Sequence, residues 1–274
     1  MPIPHLPLTT YLHALRDGRT IAVAETSFYG PLAALLDAAG AELKPKVRCL
    51  IHPKSSGAGL PDGGFYTSDQ IPKEAAAAQL PAQLPARGVL EVKGTAADVE
   101  QVVAEPQVRK YLAHYGQVLI TNYRDFLLVG CSGTDTPVKL ERYSLAPNEA
   151  TFWQAAANPA QFAAAHSEGL MSYLQRVLLA NAPLADPKEV AWFLASYARD
   201  ARARVERAGK LPALAALQTA LEEALGLSFQ AERGEHFFRS TLVQTLFYGI
   251  FSAWVLWSKE HPEPTAHFDW RHAV

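Results

Sequence analysis

Two carboxylates and a lysine stand at the ends of predicted strands, with a spacing that suits a metal ion. Pro61-Asp62 opens one predicted strand, and Glu91-Val92-Lys93 ends the next. Because strand side chains alternate between faces, Glu91 and Lys93 should share one face while Val92 turns into the core. Asp62 on the adjacent strand can then approach Glu91. Both carboxylates and the Val92 carbonyl would offer oxygens to Mg²⁺ at one point.

This arrangement predicts phosphodiester chemistry. A bound metal ion would hold the scissile phosphate and help to ionise a water molecule. Lys93 would stabilise the charge that develops on the phosphate or help to position the water. The same residues also fit a turn at Pro61-Asp62 and an exposed Glu–Lys pair at a strand end, so this alternative stays open.

The elements that must position these residues alternate between helix and strand in the first half of the chain. Apolar residues at helical spacing predict two helices, and short apolar or alternating runs predict three strands, which a further helix and two more strands follow. Pro106 must kink or split that further helix. The fold class is therefore α/β. The predicted ranges are helices 8–16, 26–39 and 97–115 and strands 47–52, 64–67, 88–93, 117–121 and 125–129.

A polar, turn-rich stretch over 131–150 precedes a second half that is predicted to be entirely helical. We therefore predict one domain over 1–145 and an all-α domain over 146–274. The predicted helices of the second half are 151–165, 167–180, 187–208, 211–225 and 235–259.

The most apolar segment of the chain, 242–257, reads LVQTLFYGIFSAWVLW. It is shorter than the roughly 20 residues that a membrane span needs, and it carries Gln244 and Thr245. We predict a helix buried inside the helical domain. The first residues lack a basic segment followed by an apolar run, so no signal peptide is expected. Together these features predict a soluble, cytoplasmic protein that contacts no membrane.

Charge and cysteine content exclude several classes of protein. The 25 basic and 27 acidic residues give a net charge of −2, so contact with nucleic acid would need a local basic patch. Cys49 and Cys131 form no CxxC pair, which excludes a cysteine-bound zinc or iron–sulfur site. No P-loop or Rossmann fingerprint occurs, so ATP-driven translocation is not expected. The candidate contacts to DNA phosphates are Lys54, Arg109, Lys110 and Arg124.

The element order and the motifs together resemble the PD-(D/E)xK nuclease superfamily. Within it, the chain resembles the N-terminal nuclease domain and helical connector of restriction–modification proteins that fuse an endonuclease with an adenine methyltransferase. It departs from their pattern at Gly63-Gly64, where an aromatic residue is frequent, and it contains no N-P-P-Y motif and no glycine-rich loop for S-adenosylmethionine. The motifs that carry the resemblance are Glu25 with Tyr29, Gly59-Leu60-Pro61-Asp62, Gly88 to Lys93, Gln107 to Leu112, the hairpin Val118 to Val129 and the helical segment 235–257.

The resemblance implies a restriction-endonuclease-like mixed sheet flanked by helices and followed by an all-α domain. It implies that Asp62, Glu91 and the Val92 carbonyl bind Mg²⁺, for which Mn²⁺ can substitute. Lys93 would serve the phosphate and the water. The catalytic residues that it implies are Asp62, Glu91, Lys93, Glu25, Gln107 and Tyr111.

Three of these residues also have ordinary structural explanations. Glu25 precedes a predicted helix, where an acidic side chain is favoured by the helix dipole. Gln107 and Tyr111 lie four positions apart and share one helix face, as a polar surface with a half-buried tyrosine would require. The resemblance instead places Glu25 beside the metal and directs Gln107 and Tyr111 at the active site or the DNA backbone.

Three functional hypotheses follow. The first is a Mg²⁺-dependent endonuclease that acts on double-stranded DNA in a restriction–modification or phage-defence system. The second is a catalytically silent nuclease-fold module that serves DNA binding or assembly with a methyltransferase. The third is an α/β protein that binds a small ligand. The methyltransferase would lie downstream or on a partner chain, and double-strand cleavage by one site per chain would need a dimer or two encounters.

Overall fold

The computed structural model describes residues 5–19, 26–54, 57–71, 83–131, 136–180, 187–207, 212–226, 228–229, 231–263 and 268. Within these ranges the first part of the chain forms a mixed sheet with helices, and the last part is helical. The strands are β1 (Val47–Ile51), β2 (Gly63–Thr67), β3 (Val89–Val92), β4 (Gln117–Thr121), β5 (Asp125–Cys131) and β6 (Pro137–Ser144). The helices are α1 (Leu6–Gly18), α2 (Tyr29–Gly40), α3 (Val99–Val102), α4 (Pro106–Tyr115), α5 (Glu149–Ala156), α6 (Pro159–Leu179), α7 (Pro187–Arg207), α8 (Pro212–Leu225) and α9 (Ala231–Glu260).

The six strands form one sheet in the order β1-β2-β3-β4-β5-β6. Every neighbouring pair is antiparallel except β3 and β4, which run parallel. Parallel neighbours need a long crossover connection, and α3 and α4 supply it here. The predicted α/β class is confirmed, and β1 to β5 lie within two residues of their predicted ranges. Pro106 splits the predicted helix 97–115, because it occupies the first turn of α4.

The edge strand β6 differs from its prediction, since its residues were interpreted as part of a turn-rich linker. Its side chains are exposed or half-buried, and Val138 and Leu140 are among the exposed ones. The strand is held by its pairing with β5, with a register shift at Leu128 and Val129. Pro137 at its first position suits an edge strand, because proline lacks an N–H for the ladder.

The sheet lies between two helical layers. Alternation along β3 puts Leu90 and Val92 into one buried cluster with residues of α1, α2, α5 and α6. Val89 falls on the opposite face, in a second cluster with residues of α3 and α4. Because β3 and β4 are buried along their whole lengths, only the ends of these strands can carry polar groups to the surface.

The chain divides into two compact units, Met1–Pro183 and Leu184–Val274. The predicted division after residue 145 differs from this one, because α5 and α6 pack into the core of the first unit. Leu170 and Tyr173 of α6 are fully buried, and the Tyr173 hydroxyl donates to the Phe126 carbonyl at 2.9 Å. Pro159 begins α6, so the break between these helices falls earlier than the predicted one at residue 166.

The second unit consists of α7, α8 and α9 within the described residues, and α7 packs against α9. The expectation that 242–257 is buried inside the helical domain is wrong, because only 6% of the most apolar window of Arg233–Glu260 is buried in the described chain. Tyr248 and Trp254 are among its exposed side chains. By length and composition alone this helix could cross a membrane, a test that core helices of soluble proteins also pass. The cytoplasmic location stays a prediction.

Candidate active site

Asp62 is held in one orientation by two hydrogen bonds from separate elements. The Tyr29 hydroxyl, at the start of α2, donates to Oδ1 at 2.8 Å. The Val92 backbone N–H, at the end of β3, donates to Oδ2 at 2.7 Å. Hydrogen bonds to an ionised acceptor are among the stronger ones in proteins. The carboxylate therefore has a defined position relative to both the helix and the strand.

The turn before Asp62 requires a glycine at position 59. Gly59 has a φ of +115°, in a region that L side chains rarely adopt. A Cβ there would lie 3.5 Å from Cε1 of Tyr111 and 3.8 Å from its hydroxyl oxygen. This close approach brings the Gly59-to-Asp62 turn onto α4, so the same motif that carries Asp62 also packs against Tyr111.

Glu91 is a buried carboxylate, with 3% of its surface exposed. Its Oε1 accepts a hydrogen bond from Nζ of Lys93 at 2.9 Å, which confirms that the two side chains share a face of β3. Its Oε2 is buried and has no hydrogen-bond partner in the described part of the chain. Burial raises the pKa of Glu91 above its ordinary value, and the charges of Asp62 and Glu105 add to this while Lys93 opposes it. The alternative of an exposed Glu–Lys pair is therefore wrong.

Lys93 lies between two carboxylates. Its Nζ is 2.9 Å from Oε1 of Glu91 and 3.3 Å from Oε2 of Glu105. Burial by itself lowers the pKa of Lys93, but the hydrogen bonds and charges of the two glutamates raise it above its ordinary value. Glu105 is not among the site residues predicted from the sequence. The signal that could have found it is its place directly before Pro106, the proline that begins α4.

Gln107 and Tyr111 contact each other on α4. The Gln107 side-chain amide donates to the Tyr111 hydroxyl at 2.7 Å, and the tyrosine is fully buried while the glutamine is exposed. Burial raises the pKa of Tyr111, and the charges of Glu91 and Asp62 raise it further, while the bond from Gln107 lowers it. The charges of both predicted metal ligands therefore act on the Tyr111 hydroxyl. Glu25 lies outside the described residues.

The oxygen atoms near Asp62 and Glu91 suit a divalent cation. The Val92 N–H donates to Asp62, and because the N–H and C=O of one residue in an extended strand point to the same side, we expect the Val92 carbonyl on the side of β3 where Asp62 lies. The buried Oε2 of Glu91, which has no hydrogen-bond partner among the described residues, is a second oxygen that could ligate the cation. No group of three His, Cys, Asp or Glu side chains in the described ranges could hold a metal. Two carboxylates and one carbonyl fit Mg²⁺, which keeps several waters and binds through few protein ligands.

Three of the four predicted DNA contacts are available on the surface. Lys54 follows β1, and Arg109 and Lys110 lie on α4; all three are exposed. The prediction for Arg124 is wrong. Arg124 is 8% exposed, and its guanidinium turns inward from the β4–β5 turn, where Nε donates to the Thr95 carbonyl at 3.1 Å and Nη1 pairs with Asp125. The hydrogen-bonding groups of the Arg124 side chain are therefore engaged with buried carbonyls and a buried carboxylate.

Substitution of Arg124 should lower the stability of the fold and leave the DNA affinity of the folded protein unchanged. We expect Arg124→Met to lower the free energy of unfolding by about 3 kcal/mol, because the buried Oδ2 of Asp125 and the Thr95 carbonyl lose their charged donor, although Arg142 still pairs with Oδ1 of Asp125. The matched variant Arg109→Met should change stability by no more than about 0.5 kcal/mol, since its side chain is exposed. Denaturant unfolding and DNA affinity of the folded protein check both. A stable Arg124→Met protein with weakened DNA binding would contradict this assignment.

Comparison of the chain with protein-family models, with curated proteins and with solved structures finds no match.

Proposed function

We propose that the first unit is a Mg²⁺-dependent endonuclease that hydrolyses phosphodiester bonds of double-stranded DNA. The observation that carries the proposal is that Asp62 from one motif and Glu91 and Lys93 from another come together at one end of β2 and β3. The buried, unpartnered Oε2 of Glu91 supports it, because a buried polar atom is rarely left without a partner. The site has the composition of a cation site with an adjacent ammonium group.

The topology also supports the proposal. The PD-(D/E)xK resemblance implies a helix, three strands, a helix and a fourth strand, with the acidic residues on the second and third strands. Here α2, the antiparallel strands β1 to β3, the α3–α4 crossover and β4 follow that order. The restriction-endonuclease-like fold is accordingly part of the proposal.

Each residue of the site has a distinct role in the proposed reaction. Asp62, Glu91 and the Val92 carbonyl would hold Mg²⁺ or Mn²⁺, and a cation bound there supplies positive charge for the scissile phosphate and lowers the pKa of a water molecule. Tyr29 fixes the orientation of Asp62 through its 2.8 Å hydrogen bond. Lys93 places its ammonium group beside Glu91, where it can stabilise charge that develops on a phosphate oxygen.

The surface around α4 would receive the DNA backbone. Arg109 and Lys110 are exposed on this helix, and Gln107 projects from its first turn beside Tyr111. Contacts of this kind reach phosphates and give salt-dependent affinity without sequence choice. As the biological setting we propose restriction of foreign DNA or phage defence, with an adenine methyltransferase module as partner, because the sequence resembles fused proteins of that kind.

Cleavage of a supercoiled plasmid tests the proposal. We expect the wild-type chain to nick plasmid in Mg²⁺ or Mn²⁺ and not in EDTA, and Asp62→Asn to nick at least about 100-fold more slowly. Asp69→Asn is the matched control, because Asp69 is an exposed acid in the turn after β2. Mn²⁺ should also raise the unfolding temperature of wild type and of Asp69→Asn but not that of Asp62→Asn, since only a folded site binds the ion.

Two outcomes would overturn the proposal in different ways. Equal nicking by wild type and Asp62→Asn would assign the activity to another site or to a contaminant. Absence of nicking together with metal-independent DNA binding would favour the catalytically silent module, which serves DNA binding or assembly.

A further inference from the structure

We propose that Glu105 is a positioning residue that holds the ammonium group of Lys93 in place during phosphodiester hydrolysis. The inference rests on the proposed function. Oε2 of Glu105 lies 3.3 Å from Nζ of Lys93, which also contacts Oε1 of Glu91 at 2.9 Å. Neither the sequence motifs nor the predicted metal ligands include this glutamate.

A second carboxylate is useful because Glu91 has two tasks in the proposed site. Its Oε1 accepts the Lys93 hydrogen bond, and the same carboxylate group is expected to bind the cation. A bound cation draws negative charge away from Glu91 and so weakens its attraction for Lys93. Glu105 does not belong to the predicted cation set, so its attraction for Lys93 persists when the cation is present.

The backbone of Glu105 is fixed, so its side chain reaches Lys93 from a defined point. Glu105 occupies the N-cap position of α4, with φ −62° and ψ 138°, and Pro106 follows in the first turn. Its N–H donates to the Val102 carbonyl at 3.0 Å, and its carbonyl accepts from the Arg109 N–H at 3.3 Å. Both backbone groups are therefore engaged, and the geometry of the α3–α4 junction determines where the carboxylate sits.

If the ion pair between Glu105 and Lys93 had only a structural role, its removal would not change the cleavage rate. The side chain of Glu105 is 41% exposed and that of Lys93 is 24% exposed. Ion pairs in contact with solvent contribute little to stability. Removal of Glu105 should accordingly leave the fold intact, and a merely structural contact would leave the cleavage rate intact too.

Steady-state kinetics of Glu105→Ala and Glu105→Gln test the inference on the full chain. We expect kcat for plasmid nicking to fall about tenfold in Glu105→Ala, because small misplacements of a reacting group are costly. The KM for plasmid and the Mn²⁺-induced rise in unfolding temperature should stay within about twofold of wild type, since Glu105 is placed neither on DNA nor on the cation. Glu105→Gln should recover part of the lost rate, because its amide oxygen can still accept from Nζ. Glu168→Ala, an exposed position on α6, is the matched control.

The outcomes separate this inference from the function on which it rests. A wild-type chain that nicks no plasmid overturns the proposed function and the inference with it. A wild type that nicks together with an unaffected Glu105→Ala overturns the inference alone. A fall in kcat that is accompanied by an equal loss of Mn²⁺ response or of thermal stability also overturns it, because Glu105 would then act as a ligand or as a structural residue.

Discussion

Replacement of Lys93 by alanine should lower the rate constant for plasmid nicking by about 100- to 1,000-fold. The side chain places a positive charge 2.9 Å from the predicted metal ligand Glu91, where charge develops on the phosphate during hydrolysis. Loss of a single preorganised group that stabilises such charge has effects of this size. Single-turnover nicking in Mg²⁺ measures the change directly.

The control for this variant must separate lost chemistry from lost structure. Lys259→Ala makes the same substitution at an exposed position near the end of α9 and should nick like wild type. Lys93→Ala should still gain thermal stability on addition of Mn²⁺, because Lys93 contributes no ligand to the cation. A Lys93→Ala protein that is folded, responds to Mn²⁺ and nicks at the wild-type rate would contradict the role of Lys93.

Local patterns were sufficient for the strands that carry the site. The alternation in Gly88 to Lys93 places Glu91 and Lys93 on one face and Val92 on the other, and the hydrogen bond from Lys93 to Glu91 and the burial of Val92 in the opposite cluster agree with it. The position of Asp62 at the start of β2 brings it to the end of β3 because β2 and β3 are antiparallel neighbours. Each of these relations depends on the period of a strand and on short connections, which a sequence displays.

Relations that depend on distant partners could not be predicted in this way. Arg124 has the charge of a DNA contact, but the Thr95 and Ala146 carbonyls that accept from it come from other loops. Glu105 reaches Lys93 only because the α3–α4 junction returns past the end of β3. Nothing in the spacing of these residues along the chain specifies such approaches.

The same limit explains the two larger differences between prediction and structure, which concern the strand β6 and the division into two units. The strand β6 is stabilised by pairing with β5 and not by an apolar run of its own, so its residues resemble a linker. The helices α5 and α6 have apolar faces that indicate burial but not the surface that buries them. Because α6 contacts α1 and α2, the helices α5 and α6 belong to the first unit, whereas the predicted division after residue 145 places them in the second.

The substitution Glu91→Gln should have opposite effects on activity and on stability. Nicking should fall at least about 100-fold, because an amide cannot replace a carboxylate that binds a cation and orients Lys93. In EDTA at pH 8, however, the variant should be more stable than wild type by about 1 kcal/mol, as is common when a charged group at a functional site is neutralised. Metal-free wild type carries a buried carboxylate with one oxygen unpartnered in the described chain.

The pH dependence of this difference has a defined sign. Burial, together with the charges of Asp62 and Glu105, raises the pKa of Glu91 in the folded protein above that of the unfolded chain. The folded state therefore binds the proton more tightly, and the stability that this proton confers is lost as the pH rises through the folded-state pKa. Glutamine does not ionise, so the stability advantage of Glu91→Gln should be small at pH 4 and should grow towards pH 8.

Denaturant unfolding in EDTA at several pH values measures this difference, with Glu168→Gln as the matched control because Glu168 is exposed. The control should nick like wild type and show no such growth with pH. Addition of Mn²⁺ should reverse the order of stability, since the cation neutralises the buried carboxylate of wild type and finds no such group in Glu91→Gln. If Glu91→Gln is instead less stable than wild type at pH 8 in EDTA, the hydrogen bond to Lys93 outweighs the cost of burial. The carboxylate would then serve the fold, and the case for a cation site at Asp62 and Glu91 would lose its main physical support.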